Sequence, residues 1–103
     1  DKTFEIDPVA VEKNVDKDPG VRQWLVELAS RLRALREFNK ATAEAELRKL
    51  ADELGIKAGL LINGSRTVTT GVSVGPPLFD LLESLGQDTV TTRLAGALTF
   101  GRP

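Results

Sequence analysis

The sequence has no cysteine, histidine, tyrosine or methionine. Without thiolates and imidazoles it can offer neither a cysteine nucleophile nor a Cys/His zinc site, which leaves carboxylates, lysine, serine and threonine for any catalysis. No disulfide framework is available, so packing alone must hold the fold, and cysteine usage gives no clue to the redox compartment. The missing initiator methionine leads us to expect a piece of a longer protein, cut or processed at Asp1. No uncharged stretch approaches the ~20 apolar residues of a membrane span. No secretory leader opens the chain either, so no membrane partner and a cytoplasmic location are expected. An excess of one charge is also lacking, with 14 basic against 15 acidic residues. That is weaker than the basic footprint of a domain that grips a nucleic-acid backbone unaided.

What the chain does have is 103 residues, 41% of them hydrophobic. That suffices for one core built from several amphipathic elements, and leaves no room for a large cleft between domains. The charge is unevenly spread. Residues 1–20 carry six acids and three bases, 21–57 six acids and eight bases, and 58–103 three of each.

Helical signals recur along the chain. Asp7-Pro8 is a cap followed by a residue suited to the first helical position, and Val11 and Val15 lie four apart, predicting a first helix of about two turns. Asp18-Pro19 repeats the device before Val21, Leu25, Leu28, Leu32 and Leu35, which share one helical face, with Trp24 flanking them. Glu27 and Arg31 form a favourable i,i+4 pair on this second helix. Asn39 caps a third helix, about 40 to 54, with Ala43, Leu47, Leu50 and Leu54 in register and Gly55 as its left-handed stop. Further on, Gly75-Pro76-Pro77 introduces Leu78, Leu81, Leu82 and Leu85, with Gly86 as stop, and a last segment carries Val90, Leu94, Ala97 and Leu98. Phe100 to Pro103 reads as a tail.

Residues 56–74 support two descriptions. Leu60-Leu61-Ile62, Asn63-Gly64 and Ser65-Arg66-Thr67-Val68 have the turn chemistry and β-branching of a hairpin. Yet Ala58, Leu61, Ile62, Ser65, Val68 and Val72 fall at helical intervals.

Candidate sites are few. Arg33, Arg36 and Lys40, three and four apart, would project from one side of the second helix and its exit, where they could meet successive phosphates. A solvated face is the commoner explanation of such a row. Arg22, Arg48, Lys49 and Lys57 stand among acids and offer less. Asn63-Gly64-Ser65 matches a glycosylation pattern that is frequent by chance. The glycines around Val72-Ser73-Val74 lack the Gly-Lys-Ser/Thr ending of a phosphate loop. Asp80 and Glu83 have the spacing of a carboxylate pair but no apolar pocket to raise either pKa, so surface acids account for them. A helical protein-interaction module, with docking apolar stripes and merely solvated bases, is the alternative to nucleic-acid binding, and a small carboxylate enzyme is a third reading.

Three blocks in series narrow the choice: Asp7-Pro8-Val9-Ala10-Val11-Glu12-Lys13, then Leu50-Ala51-Asp52-Glu53-Leu54-Gly55-Ile56-Lys57-Ala58-Gly59, then Pro76-Pro77-Leu78-Phe79-Asp80-Leu81-Leu82-Glu83-Ser84-Leu85-Gly86. In order and spacing they resemble the C-terminal anticodon-binding region of bacterial glutamyl-tRNA synthetases. That family's middle segment continues through Leu-Arg-Val-Ala-Leu-Thr-Gly to Val-Ser-Pro-Pro-Leu-Phe-Glu. Residues 56–80 align with it without a gap, with Arg66 on its arginine, Thr70-Gly71 on Thr-Gly, Val74 on its valine and Pro76 on its proline. The departures are Asn63-Gly64-Ser65, Thr67-Val68-Thr69, and Gly75 in place of serine or threonine.

The resemblance implies an all-α bundle of about six short helices without a sheet. Residues 57–70 would be helical despite the hairpin signal, with an interruption at Asn63-Gly64 left open. It implies two parts: residues 1–38, the end of a preceding helical anticodon-binding subdomain, and residues 39–103, the C-terminal one. It further implies that Arg66, Thr70, Gly75, Pro76 and Leu78 face the anticodon of glutamate tRNA, with Arg33, Arg36 and Lys40 as weak backbone contacts. The family's His-Ile-Gly-His and Lys-Met-Ser-Lys signatures are missing. No catalytic residue, metal site or cofactor is therefore expected here, and ATP and Mg would belong to a catalytic part elsewhere in a glutamate-tRNA ligase. A monomer is expected.

Overall fold

In the computed structural model, which describes residues 5–101, Asp7 accepts a hydrogen bond from the Val9 amide at 3.0 Å and starts helix α1, Pro8–Val11. The chain then widens into a π-helical segment, Glu12–Asp16. The two together have the length expected of the first helix, but only the first half is α-helical. Val11 and Val15, four apart, are both buried.

Helix α2, Val21–Arg33, begins later than the Asp18-Pro19 signal suggests. The Asp18 carboxylate accepts from the Gly20 amide at 3.0 Å, so it closes a turn ahead of the helix rather than capping its first amides. Leu25, Leu28 and Leu32 of the predicted stripe are fully buried, whereas Leu35 lies past the helix end and is half-buried. Helix α3, Lys40–Leu54, has the predicted bounds. Asn39 accepts from the Thr42 amide while Thr42 Oγ1 accepts from the Asn39 amide, a reciprocal cap, and Gly55 ends the helix at φ 70°.

Residues 58–70 form one uninterrupted helix, α4, Ala58–Thr70. The hairpin signal at Asn63-Gly64 is overridden. A bend there would expose Leu61 and Val68, whereas the helix buries both in the core together with Ser65. Helix α5, Leu78–Leu85, and helix α6, Gln87–Ala95, follow, turning at Gly86. Among the described residues there is no strand, and the fold is all-α with six α-helices.

One core joins all of them: Leu25, Leu28 and Leu32 from α2, Leu47 and Leu50 from α3, Leu61 and Val68 from α4, Leu82 from α5, and Val90 and Leu94 from α6. Burying each such side chain contributes about 1.5–3 kcal/mol. Helix α2 lies against α6, so residues on either side of Asn39 share this core. Gln87 strengthens the contact by donating to the Leu32 and Leu35 carbonyls at 2.8 and 2.9 Å, which adds a partner at the end of α2 and one just past it.

The expected tail is only partly one. Phe100 packs on the core beside buried Ala97 of the preceding segment, while Arg102 and Pro103 lie outside the described residues. Arg22 explains the docking. Its Nη1 donates to the Ala97 and Phe100 carbonyls, each at 2.7 Å, and its Nε donates to Asp16 at 3.0 Å.

Candidate nucleic-acid interface

The residues singled out by the sequence meet mainly at the corner between α4 and α5. Arg66 sits in the last turns of α4, half-buried, and its Nη1 donates to the Pro76 carbonyl at 2.5 Å. Thr70 Oγ1 donates to the Arg66 carbonyl at 2.6 Å and accepts from the Val72 amide at 3.3 Å. The connector after Gly71 is thus held at its start by Thr70 and near its end by Arg66. Along this connector Ser73, Val74, Gly75, Pro76 and Pro77 are exposed.

Gly75 has φ 153°, where a side chain would strain the backbone, and its α-carbon face looks towards the Arg66 guanidinium. Pro76 and Pro77 supply stiff apolar surface and no amide donor. Of the exposed large apolar residues, only Val74, 75% exposed, falls in this turn. A single such side chain is not the contiguous patch that marks a protein-docking face.

Leu78 is placed differently from the sequence expectation. It is only 3% exposed and anchors α5 in the core, so its side chain offers no contact surface at the corner. Phe79, the next residue, packs against the core only partly.

Arg33, Arg36 and Lys40 do not form one row. Helix α2 ends at Arg33, Arg36 lies in the bend that follows, and Lys40 opens α3. Arg33 and Arg36 are exposed and make no ion pair among the described residues. Lys40 Nζ instead donates to Asp80 at 3.0 Å, and that hydrogen bond chiefly raises the lysine pKa. The pair ties α3 to the first turn of α5, beside the corner, where the carboxylate also complements the helix dipole.

A second feature has only a weak sequence signal. An open groove of about 420 Å³ runs between the π-helical segment and α4, and Lys13, Lys17 and Asn63 line it. Their only signal in the sequence is spacing, Lys13 to Lys17 four apart and Asn63 three before Arg66. The groove is held in shape by Asn14, whose side-chain amide donates to Thr67 Oγ1 at 3.1 Å.

Known proteins with this pattern are informative. Residues 1–98 match the family model described as anticodon binding domain. Glutamate-tRNA ligase 2 of Koribacter versatilis is 48% identical over 91 residues, which are 88% of this chain and 19% of that protein. The glutamate-tRNA ligase of Desulfotalea psychrophila is 39% identical over 94 residues, 91% of this chain and 19% of that protein. The chain therefore spans about a fifth of the length of the curated relatives it matches. Among solved structures, a glutamate tRNA ligase from Elizabethkingia meningosepticum in complex with its amino acid superposes with a TM-score of 0.84 over 93% of this chain and 18% of that one. At 23% identity this likeness speaks to the fold. With the family model covering nearly its whole length, the chain belongs to the anticodon binding domain family.

Proposed function

We propose that this domain reads the anticodon loop of glutamate tRNA as the C-terminal part of a glutamate-tRNA ligase. The observation that carries the proposal is the bond from Arg66 to the Pro76 carbonyl, which holds a guanidinium beside an exposed Gly75-Pro76-Pro77 turn. Loops of RNA present unstacked bases whose edges accept directional donors and whose faces rest on flat apolar or proline surface. Arg66 supplies the donors, Pro76 the surface, and Gly75 lets the backbone come close. Thr70 positions Arg66 from below by capping its carbonyl. Leu78 contributes by fixing the start of α5 rather than by touching a base. Arg33, Arg36 and Lys40 are weaker candidates for phosphate contact, Lys40 because Asp80 already holds it.

In the parent protein, activation of glutamate with ATP and Mg belongs to the catalytic part outside this chain. A cytoplasmic monomer is the corresponding cellular form. Asn39, the α3 cap, is the proposed boundary between subdomains 1–38 and 39–103.

The test is a fluorescence-anisotropy titration of a glutamate-tRNA anticodon stem-loop at low salt, beside a scrambled-loop control. Arg66→Ala is expected to weaken cognate binding by about 1–3 kcal/mol and to leave the control nearly unchanged. Arg66→Lys should recover little, since a lysine lacks the planar fork that pairs with a base edge. Equal affinity of the wild-type chain for both loops would overturn the proposal.

A further inference from the structure

The groove between the π-helical segment and α4 carries chemistry that the corner does not use. Lys13 lies within the π-helical segment and Lys17 follows its end. Both are exposed, both line the same groove, and neither makes an ion pair among the described residues. Three acids stand nearby, of which Glu12 is exposed beside both lysines. Asp16 is held by Arg22 at 2.9 Å, and Asp18, which shares the groove, has one carboxylate oxygen engaged by the Gly20 amide. The opposite wall is α4, where Asn63 is exposed and offers a side-chain amide. Leu60 and Val21 also line the groove.

The position of Asn63 links this groove to the corner. Residues three apart on a helix are neighbours on one face, separated by about 4.5 Å along the axis. Asn63, which lines the groove, therefore stands about one turn before Arg66 on neighbouring positions of α4. Two mobile ammonium groups with a neutral amide opposite suit a phosphodiester, which an exposed cation holds as a point charge.

We infer that Lys13, Lys17 and Asn63 form a phosphate-holding subsite for the RNA backbone, adjoining the bases presented to Arg66. This rests on the anticodon reading proposed above for its biological ligand. The lysines would position the strand without reading its sequence.

The experiment compares the wild-type chain, a Lys13→Gln/Lys17→Gln double variant and Arg66→Ala in anisotropy titrations of cognate and scrambled stem-loops over a range of salt. The double variant is expected to lose affinity for both RNAs by the same factor. Its slope of log affinity against log salt should fall in magnitude by about 0.7–0.9 for each lysine. Arg66→Ala should instead reduce the difference between the loops. If the double variant keeps wild-type affinity and slope while the wild type still distinguishes the loops, the subsite is refuted and the anticodon reading stands. If the double variant loses affinity and slope while the wild type does not distinguish the loops, the subsite stands and the anticodon reading falls. Should neither RNA bind, a titration of the wild type with tripolyphosphate followed by amide NMR decides. Shifts centred on Lys13, Lys17 and Asn63 support the subsite, and their absence overturns it. Unchanged circular dichroism of the double variant shows that a loss is not one of folding.

Discussion

Gly64 of α4 lies against Val21 of α2 so closely that a β-carbon added to the glycine would stand 2.9 Å from Val21 Cγ1 and 3.3 Å from Leu25 Cδ1. The glycine in the hairpin-like Asn63-Gly64 pair is therefore a contact point between two helices. Gly64→Ala gains helix propensity but must displace a buried valine, and overpacking costs typically about 1–3 kcal/mol against a gain of about 1. A net destabilisation of about 1 kcal/mol is expected in urea denaturation. Gly59→Ala is the matched control in the same helix, with nothing within 4 Å of the new methyl, and should be neutral or stabilising. Equal effects at the two positions would show that α4 and α2 are not so tightly apposed.

Arg22 ties α2 to the C-terminal turns through two backbone carbonyls at 2.7 Å each. Arg22→Ala strands those carbonyls and should destabilise the chain by about 2–4 kcal/mol. Asp16→Asn should cost much less, since Arg22 keeps its carbonyl partners. Hydrogen exchange should rise first at the amides around Ala97 in Arg22→Ala. Uniform protection there would mean that the turns dock without it.

Two exposed ion pairs give stability opposite dependences on pH. The hydrogen bond from Arg31 at 2.6 Å holds the Glu53 carboxyl below the usual carboxylate range. Its contribution is present above the unfolded carboxylate pKa and fades as pH falls through the lower folded value. Asp80 raises the Lys40 pKa, so that contribution is complete below the ordinary lysine pKa and fades as pH rises through the higher folded value. Both effects should be small and weakened by salt because the pairs are exposed. Urea midpoints measured against pH should show a shallower acid limb in Glu53→Gln and a shallower alkaline limb in Lys40→Met. Unaltered limbs would mean that neither pair persists in solution.

Gly75 takes a backbone conformation, φ 153°, that L side chains rarely adopt. Gly75→Ser would place at this position the residue type found in the family that the sequence resembles, yet strain of this kind costs about 1–3 kcal/mol. A lower urea midpoint for Gly75→Ser, or a rearranged turn that weakens cognate stem-loop binding, is expected. Wild-type values for both would show that the turn relaxes freely.

Legibility followed the range of the forces involved. Helix α3 could be bounded to the residue because its cap, its leucine stripe and its glycine stop are all local. The start of α2 was displaced because an Asp-Pro pair suits either a cap or a preceding turn, and the Gly20 amide decided between them. Helix α4 was ambiguous because glycine serves a turn and a close helix contact alike. At the corner, alignment with the family placed Arg66 and Pro76, but nothing in their separation of ten residues specifies that one donates to the other.

Periodicity and composition are enough to establish that this chain is helical, lacks cysteine and imidazole chemistry, and carries nearly balanced charge. Helix formation depends on periodicity and caps within a few residues, and composition needs no structure at all. Tertiary structure alone decided which cations are committed and which stay open. Arg22 reaches carbonyls 75 and 78 residues away, Arg31 reaches Glu53, and Lys40 reaches Asp80. Lys13 and Lys17 line an open groove and make no ion pair among the described residues. Whether a charge is spent inside the fold or offered to a ligand is set by neighbours distant in sequence, and only the packing of the helices supplies them.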